Sequence, residues 1–289
     1  MRLGILRLVL LAGLAVLGVR AALSPAQALT TTQWLLTPLS GAAEHDVAAS
    51  VIWHGRLMTA AWAVLAPASV LVARYLKITP RQSWPARLDN PFWFLTHRRL
   101  GYGVALLTVA GVAIMLAARG QWAPTRSLHT SLGWSLCLLA VFQVVASLAR
   151  GTHGGPVNPF TRQPRPPEQW PGDHFSMTRR RILFEYTHKT IGYLAILIAV
   201  VTIAAGLRAA DAPLWMLLAI AAWWLLCAAL FVTLQRKVGC IDTYQAIWGL
   251  DRSLPGYRRP PIGLGIMRLS EGEAGQAPWQ RGKPKGDRR

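Results

Sequence analysis

SLHTSLGWSLCLLAVFQVVASLA, residues 127–149, is a run of 23 residues without one charged side chain. As a helix rising 1.5 Å per residue it covers about 34 Å, enough to cross a hydrocarbon core about 30 Å thick. Lipid offers no partner to an open backbone group, so helix is the assignment. Four further blocks read the same way: Leu57–Ala73 within an apolar run from about Ile52 to Leu76, then Leu100–Ala118, Thr190–Leu207 and Ala212–Gln235. Their uncharged cores are 17 to 24 residues long. Pro67 inside the first is expected to kink it. The composition agrees: 53% hydrophobic and only 15% charged, where soluble domains carry about 25% charged residues. The 13 tryptophans exclude a disordered chain.

The net charge of +19, from 31 Lys and Arg against 12 Asp and Glu, is placed unevenly. The first, third and last connections after the blocks (74–99, 150–189 and the residues after Gln235) hold 24 basic residues, and the alternate connections only three. The positive-inside rule puts the basic side in the cytoplasm. That charge therefore belongs to topology, and no nucleic acid is expected as a partner. Residues 1–28 read as a signal peptide or as an uncleaved first helix. Arg2 and Arg7 precede the uncharged Leu8–Val19, and Ala26-Gln27-Ala28 is a cleavage-type site. Residues 29–50 hold no Lys or Arg and are expected as a short periplasmic segment; 51–235 form the membrane domain and 236–289 a basic cytoplasmic tail. The expected location is the bacterial inner membrane, multi-pass, with a cytoplasmic C-terminus. The Pro-, Gly- and Arg-rich stretch 151–181 and the tail from Ser253 read as irregular, solvated segments.

Cys137, Cys227 and Cys240 form neither CxxC nor CxxCH, which opposes c-type haem attachment and a cysteine zinc site. Cys137 and Cys227 read as small buried hydrophobes. The chemistry points instead to four histidines, one near the start of each of four consecutive helices: His54, His97, His129 and His188. Ionisable residues inside a membrane mark function. On the alternating topology His54 and His129 lie near the outer face, His97 and His188 near the inner face. Two imidazoles facing across a bundle are what a six-coordinate b-type haem needs. Gly101, Gly133 and Gly192 each follow a histidine by four residues, on its own helix face, and leave room for a flat macrocycle. His54 departs from this, with Met58 at that position and Gly55 adjacent. His45, His153 and His174 fall in loops and read as solvated. The last block lacks histidine, carries Trp223 and Trp224, and is expected outside the core. The expected fold class is all-α: a transmembrane helical bundle with a four-helix haem-binding core plus one peripheral helix.

Four stretches in order resemble the cytochrome b561 family. They are His54-Gly-Arg-Leu-Met with Trp62, Pro67 and Ala73-Arg-Tyr-Leu-Lys77; Phe92-Trp93 with His97-Arg98; His129-Thr-Ser-Leu-Gly133 with Gln143; and His188-Lys-Thr-Ile-Gly192 with Gly206-Leu207. The resemblance covers about residues 51–208. It implies two haem b groups as cofactors, their iron held by His54 with His129 and His97 with His188, and electron transfer across the membrane. In that family the donor is often ascorbate, and acceptors include monodehydroascorbate and ferric chelates. The family commonly has six helices, and this chain shows five after its N-terminal segment. Arg74, Lys77 and Arg98 would sit by the inner haem and attract an anionic donor, or serve as positive-inside anchors.

These readings give an electron-transfer cytochrome moving single electrons between two irons about 15–20 Å apart in a core of about 30 Å. Two alternatives stay open: a transmembrane reductase with a defined acceptor such as ferric chelate or monodehydroascorbate, and a haem-free transporter or assembly factor. Expected partners are membrane lipid and a small molecule or protein as electron donor and acceptor, with a homodimer left open.

Overall fold

The computed structural model describes residues 30–41, 46–79, 82–119 and 127–276. The signal-peptide reading of residues 1–28, His45 and the end of the basic tail lie outside the described residues. The described residues begin with a short helix α1 (Thr31–Leu36) closed by a capping box between Thr30 and Gln33. Five helices follow that are long and apolar enough to cross a membrane: α2 (Ala49–Tyr75), α3 (Pro91–Arg119), α4 (Leu128–Leu148), α5 (Arg179–Ala209) and α6 (Leu214–Lys237). They coincide with the five apolar blocks, and the protein is an integral membrane protein with a helical bundle. Helices α3 and α5 start well before their uncharged cores, because Arg98, Arg99 and Arg179 to Arg181 continue the helix beyond the apolar stretch.

Helix α2 packs along α3, and α4 along α5, around a core of Ala61, Trp62, Val104, Leu136, Ala195 and Ala199. The small residues let backbones approach closely, which is how membrane helices associate without a hydrophobic drive between them. The indole of Trp62 donates to Thr108 Oγ1, which in turn donates to Val104 O. Outward-facing Leu106, Val109, Leu138 and Leu148 are each about two-thirds exposed or more, as lipid-facing positions should be.

Pro67 leaves a mark on α2. A π-turn over Ala60–Leu65 precedes it, and Ala66 N–H bonds back to Ala61 O. Proline has no N–H for the carbonyl four residues earlier, and that carbonyl, Ala63 O, accepts from the indole Nε1 of Trp223 at 2.6 Å. Helix α6 thus lies outside the four-helix core yet repairs a backbone defect within it. Trp223→Phe keeps the ring and removes the donor. We expect a loss of about 1–3 kcal/mol of stability, read as a lowered thermal midpoint in detergent by circular dichroism; an unchanged midpoint would refute the repair role.

The segments expected to be solvated are folded. Residues 76–79, 82–90, 149–178 and 238–276 pack together as a cap on the bundle end that carries His97 and His188. The cap contains a two-stranded parallel sheet, β1 (Cys240–Ile241) with β2 (Ile266–Met267), and the short helices α7 (Thr243–Trp248) and α8 (Glu271–Gln276). Trp84, Ile78, Ile241, Ala246, Leu269 and Ala274 form one core; Met177, Tyr244 and Ile262 form a second. Gly155, with φ +84°, sits so close to the Trp248 ring that a Cβ there would collide with it. The cap escapes a pattern reading because its apolar anchors stand singly between polar, Gly and Pro residues, with neither helical nor strand period. Cys137 and Cys227 prove half-buried and unbridged, Cys240 buried.

Candidate functional site: two histidine pairs

The structure brings the four membrane histidines together two by two. The His54 and His129 rings are 6.0 Å apart, centroid to centroid, with planes at 85°. The His97 and His188 rings are 5.9 Å apart at 83°. A metal bound by two imidazole nitrogens at about 2 Å each places the ring centroids about 6 Å apart. The first pair lies at the far end of the bundle and the second at the cap end.

Three of the four rings are held at Nδ1 by the facing helix. His54 Nδ1 donates to Gly111 O at 2.9 Å. His129 Nδ1 donates to Thr202 O at 3.0 Å. His97 Nδ1 lies 3.1 Å from Ser69 O and 2.8 Å from Ser69 Oγ. A carbonyl acceptor assigns the proton to Nδ1, so Nε2 is the nitrogen these rings offer to a metal. The fourth ring differs. His188 Nδ1 is buried without a hydrogen-bond partner, and Phe184 stacks on the ring at 5.0 Å. Its backbone is held instead: Gln143 Nε2 donates to His188 O at 3.0 Å.

These supports obey one spacing. Each helix carries a histidine of one pair and, one bundle length further on, the support for the other. His97 and Gly111, His129 and Gln143, and His188 and Thr202 are each 14 residues apart. His54 and Ser69 are 15 apart, and the extra residue is accommodated by the π-turn between them, since such a turn inserts one residue into an α-helix. At 1.5 Å per residue the two levels are separated by about 21 Å along the helices.

The glycines complete the sites. An added Cβ at Gly55, Gly101 or Gly133 would meet nothing within 4 Å, so open space flanks His54, His97 and His129. A flat macrocycle beside the imidazoles would use such space. Gly192 instead admits Gln143, whose Nε2 lies 3.5 Å from where a Cβ would stand. Two further glycines matter as much: Gly206, quoted above in the resemblance without a role at the site, and Gly111, which the sequence reading missed. Gly206 faces His129, and a Cβ there would lie 2.8 Å from Cε1; Gly111 lies against Met58 and His54. Their signal was spacing across the bundle, which no single helix displays. Among the described residues, no three His, Cys, Asp or Glu side chains converge on one metal ion. Any metal at either pair therefore draws its remaining ligands from elsewhere, as an iron porphyrin does.

The basic residues named from sequence fall in three different settings. Arg74 is buried and donates to Tyr193 Oη, to Gln235 Oε1 and to Leu264 O, so it ties the cap to α2, α5 and α6. Lys77 is buried, donates to Ile241 O at 2.7 Å, and is pushed below its ordinary range by burial. Arg98 is exposed, with its guanidinium 5.5 Å from the Phe94 ring; Arg150 lies 4.5 Å from the same ring. The loop histidines are corrected. His174 is buried at 2% exposure, and His153 is partly buried with its ring 5.8 Å from His174.

With this geometry in hand, comparison with known proteins is informative. The chain is 31% identical over 154 residues to ferric-chelate reductase 1 of Homo sapiens, 53% of this chain and 22% of that protein. It is 26% identical over 174 residues to a cytochrome b561, DM13 and DOMON domain-containing protein of Arabidopsis thaliana, 60% of this chain and 16% of that one. A second Arabidopsis thaliana protein, named for cytochrome b561 and DOMON domains, is 28% identical over 155 residues. The chain is a homologue of cytochrome b561 proteins. It spans between 16% and 31% of the length of these cytochrome b561 and reductase relatives. No family model and no solved structure matches the chain.

Proposed function

We propose that the chain is a transmembrane b-type cytochrome with two haems, one ligated by His54 and His129 and the other by His97 and His188, which passes single electrons between the two faces of the membrane. The observation that carries this reading is the two ring separations of 6.0 and 5.9 Å at opposite bundle ends. Bound there, haem supplies reversible one-electron chemistry. The protein's own part is ligation, orientation and exclusion of water. Gly111, Thr202 and Ser69 fix the ring tautomers, and the open space at Gly55, Gly101 and Gly133 fits the macrocycle edge. Haem held by His54 with His129, or by His97 with His188, would leave small ligands little access to iron, which favours electron transfer over chemistry at the metal. The excess of Lys and Arg at the cap end supports a cytoplasmic location for that end.

The test is spectroscopic. Protein purified in detergent and reduced with dithionite should show a b-type α-band and two haems per chain; a count near zero removes the reading. The relatives named ferric-chelate reductase favour a second, narrower form in which the far end reduces a ferric chelate. Proteoliposomes with reductant inside and ferric chelate outside should then reoxidise at a rate that saturates with chelate, and a rate indifferent to the acceptor would leave only the electron carrier.

A further inference from the structure

We infer that Asp89, His153, His174 and Glu185 form a proton path from the surface of the cap to a storage site, the His174 imidazole, beside the helix that carries His188. The inference rests on reading His97 and His188 as haem ligands.

His174 is 2% exposed, and its Nε2 is buried without a hydrogen bond. A buried polar atom left unpaired costs free energy and is either a flaw or a site in use. His174 faces the carboxylate of Glu185, with Oε1 3.9 Å from Nε2 and a side chain only 4% exposed. Glu185 lies on α5 three residues before His188, one turn of helix. Its carboxylate is held by Arg181 Nε at 3.0 Å and Lys189 Nζ at 2.6 Å. Two cations against one carboxylate leave this pocket positive. Burial, with Arg181, His153 and Lys189 adding repulsion, pushes His174 well below the ordinary histidine range. It is therefore neutral at rest and has an acceptor nitrogen to spare.

The way out is equally specific. His153 sits edge-on to His174, with centroids 5.8 Å apart. Its Nδ1 is engaged by Gly154 O, and its Nε2 lies 3.9 Å from Asp89 Oδ2. Both side chains are about a quarter exposed, 28% and 24%. Arg162 faces the same Asp89 carboxylate, and Arg165 and Arg181 lower His153 together with burial. From α7, Trp248 covers both rings at 4.8 and 5.8 Å, and Tyr244 lies 5.9 Å from His174. Tyr244 Oη is already used, donating to Phe175 O and accepting from Gly256 N, so it neither pairs with the imidazole nor competes for its proton. Gaps of this size are crossed through one water or a ring rotation.

The balance is simple. When a one-electron donor reduces the cap-end haem, one unit of positive charge is lost there, and one proton from solvent binds His174 Nε2 to form an N–H donor towards Glu185 Oε1. Reoxidation releases the electron to the acceptor and the proton to solvent. Apart from that N–H, no bond is made or broken.

Potentiometric titration of the purified holoprotein tests this. The cap-end haem should become easier to reduce as the pH falls well below about 6.5, into the acid range in which the depressed His174 takes up a proton, with a slope of up to about 59 mV per pH unit, the one-electron equivalent of a tenfold change. The far-end haem should stay flat. His174→Gln should flatten the cap-end slope with two haems still bound; a slope that survives overturns the proposal. Should that variant not fold, wild type decides: reduction in unbuffered solution with a pH indicator must show proton uptake, and none overturns the proposal. In His153→Gln the slope should remain while uptake slows about tenfold or more; an unchanged rate removes His153 and Asp89 from the path. A protein without haem defeats the cytochrome reading itself. Two haems with pH-independent potentials defeat this inference alone.

Discussion

On the two-haem reading proposed above, His129→Ala protein is expected to carry one haem in place of two, with the reduced α-band falling to about half. The ring that leaves is one of the facing pair 6.0 Å apart, and Thr202 O loses the Nδ1 hydrogen bond that it accepts from that ring. His54→Ala should give the same count and spectrum, because it removes the other half of the same pair. His97→Ala should spare the far-end haem and delete the cap-end one, leaving a different residual spectrum. With His188→Ala as the fourth, variants that sort into two spectral classes by pair establish the pairing. Four that each lose both haems, with helical content intact, contradict the independence of the sites.

The second large effect is expected from a methyl group. Gly206→Ala places a Cβ where the His129 ring now lies, 2.8 Å from Cε1 and 2.9 Å from Nδ1. Helix propensity alone favours alanine over glycine by about 1 kcal/mol, so α5 itself gains stability. The ring must yield instead, and it loses its hydrogen bond to Thr202 O as it moves. Loss of such a supporting bond typically weakens a metal site 10–100-fold. Haem occupancy at the far end should fall by about tenfold or more at limiting haem, and that at the cap end should not change. Equilibrium haem titration of the apoprotein resolves the two, and equal affinity of variant and parent would show that Gly206 serves only helix packing.

Much of this architecture was legible in the chain, and the part that was not has a common cause. The five spans declare themselves because lipid tolerates so few charges that uncharged runs such as 127–149 and 212–235 admit one reading. The facing of His54 with His129 follows from alternating topology, which needs only the distribution of Lys and Arg. The supports of the rings do not show, because Gly111 and Thr202 act through backbone carbonyls that every residue owns. Ser69 and Gln143 act through side chains; the resemblance already included Gln143, but only a comparison of spacing across four helices picks out Ser69. The cap is the larger omission. Trp84 donates to Ala246 O across 162 residues, and Gln245 is fully buried between Leu269 N and Leu269 O. Contacts of that range carry no local period, and the surrounding Arg, Pro and Gly imitate a solvated tail.

The π-turn of α2 makes that helix the phase-setting member of the bundle. A transplanted span of equal hydropathy but unbroken α-geometry would still cross the membrane, yet with 15 residues between His54 and Ser69 it would rotate one of them by about 100°. Designers borrowing this scaffold must therefore copy a count as well as a composition, and a chimera joined within residues 60–65 would lose its alignment at one end whichever half it kept.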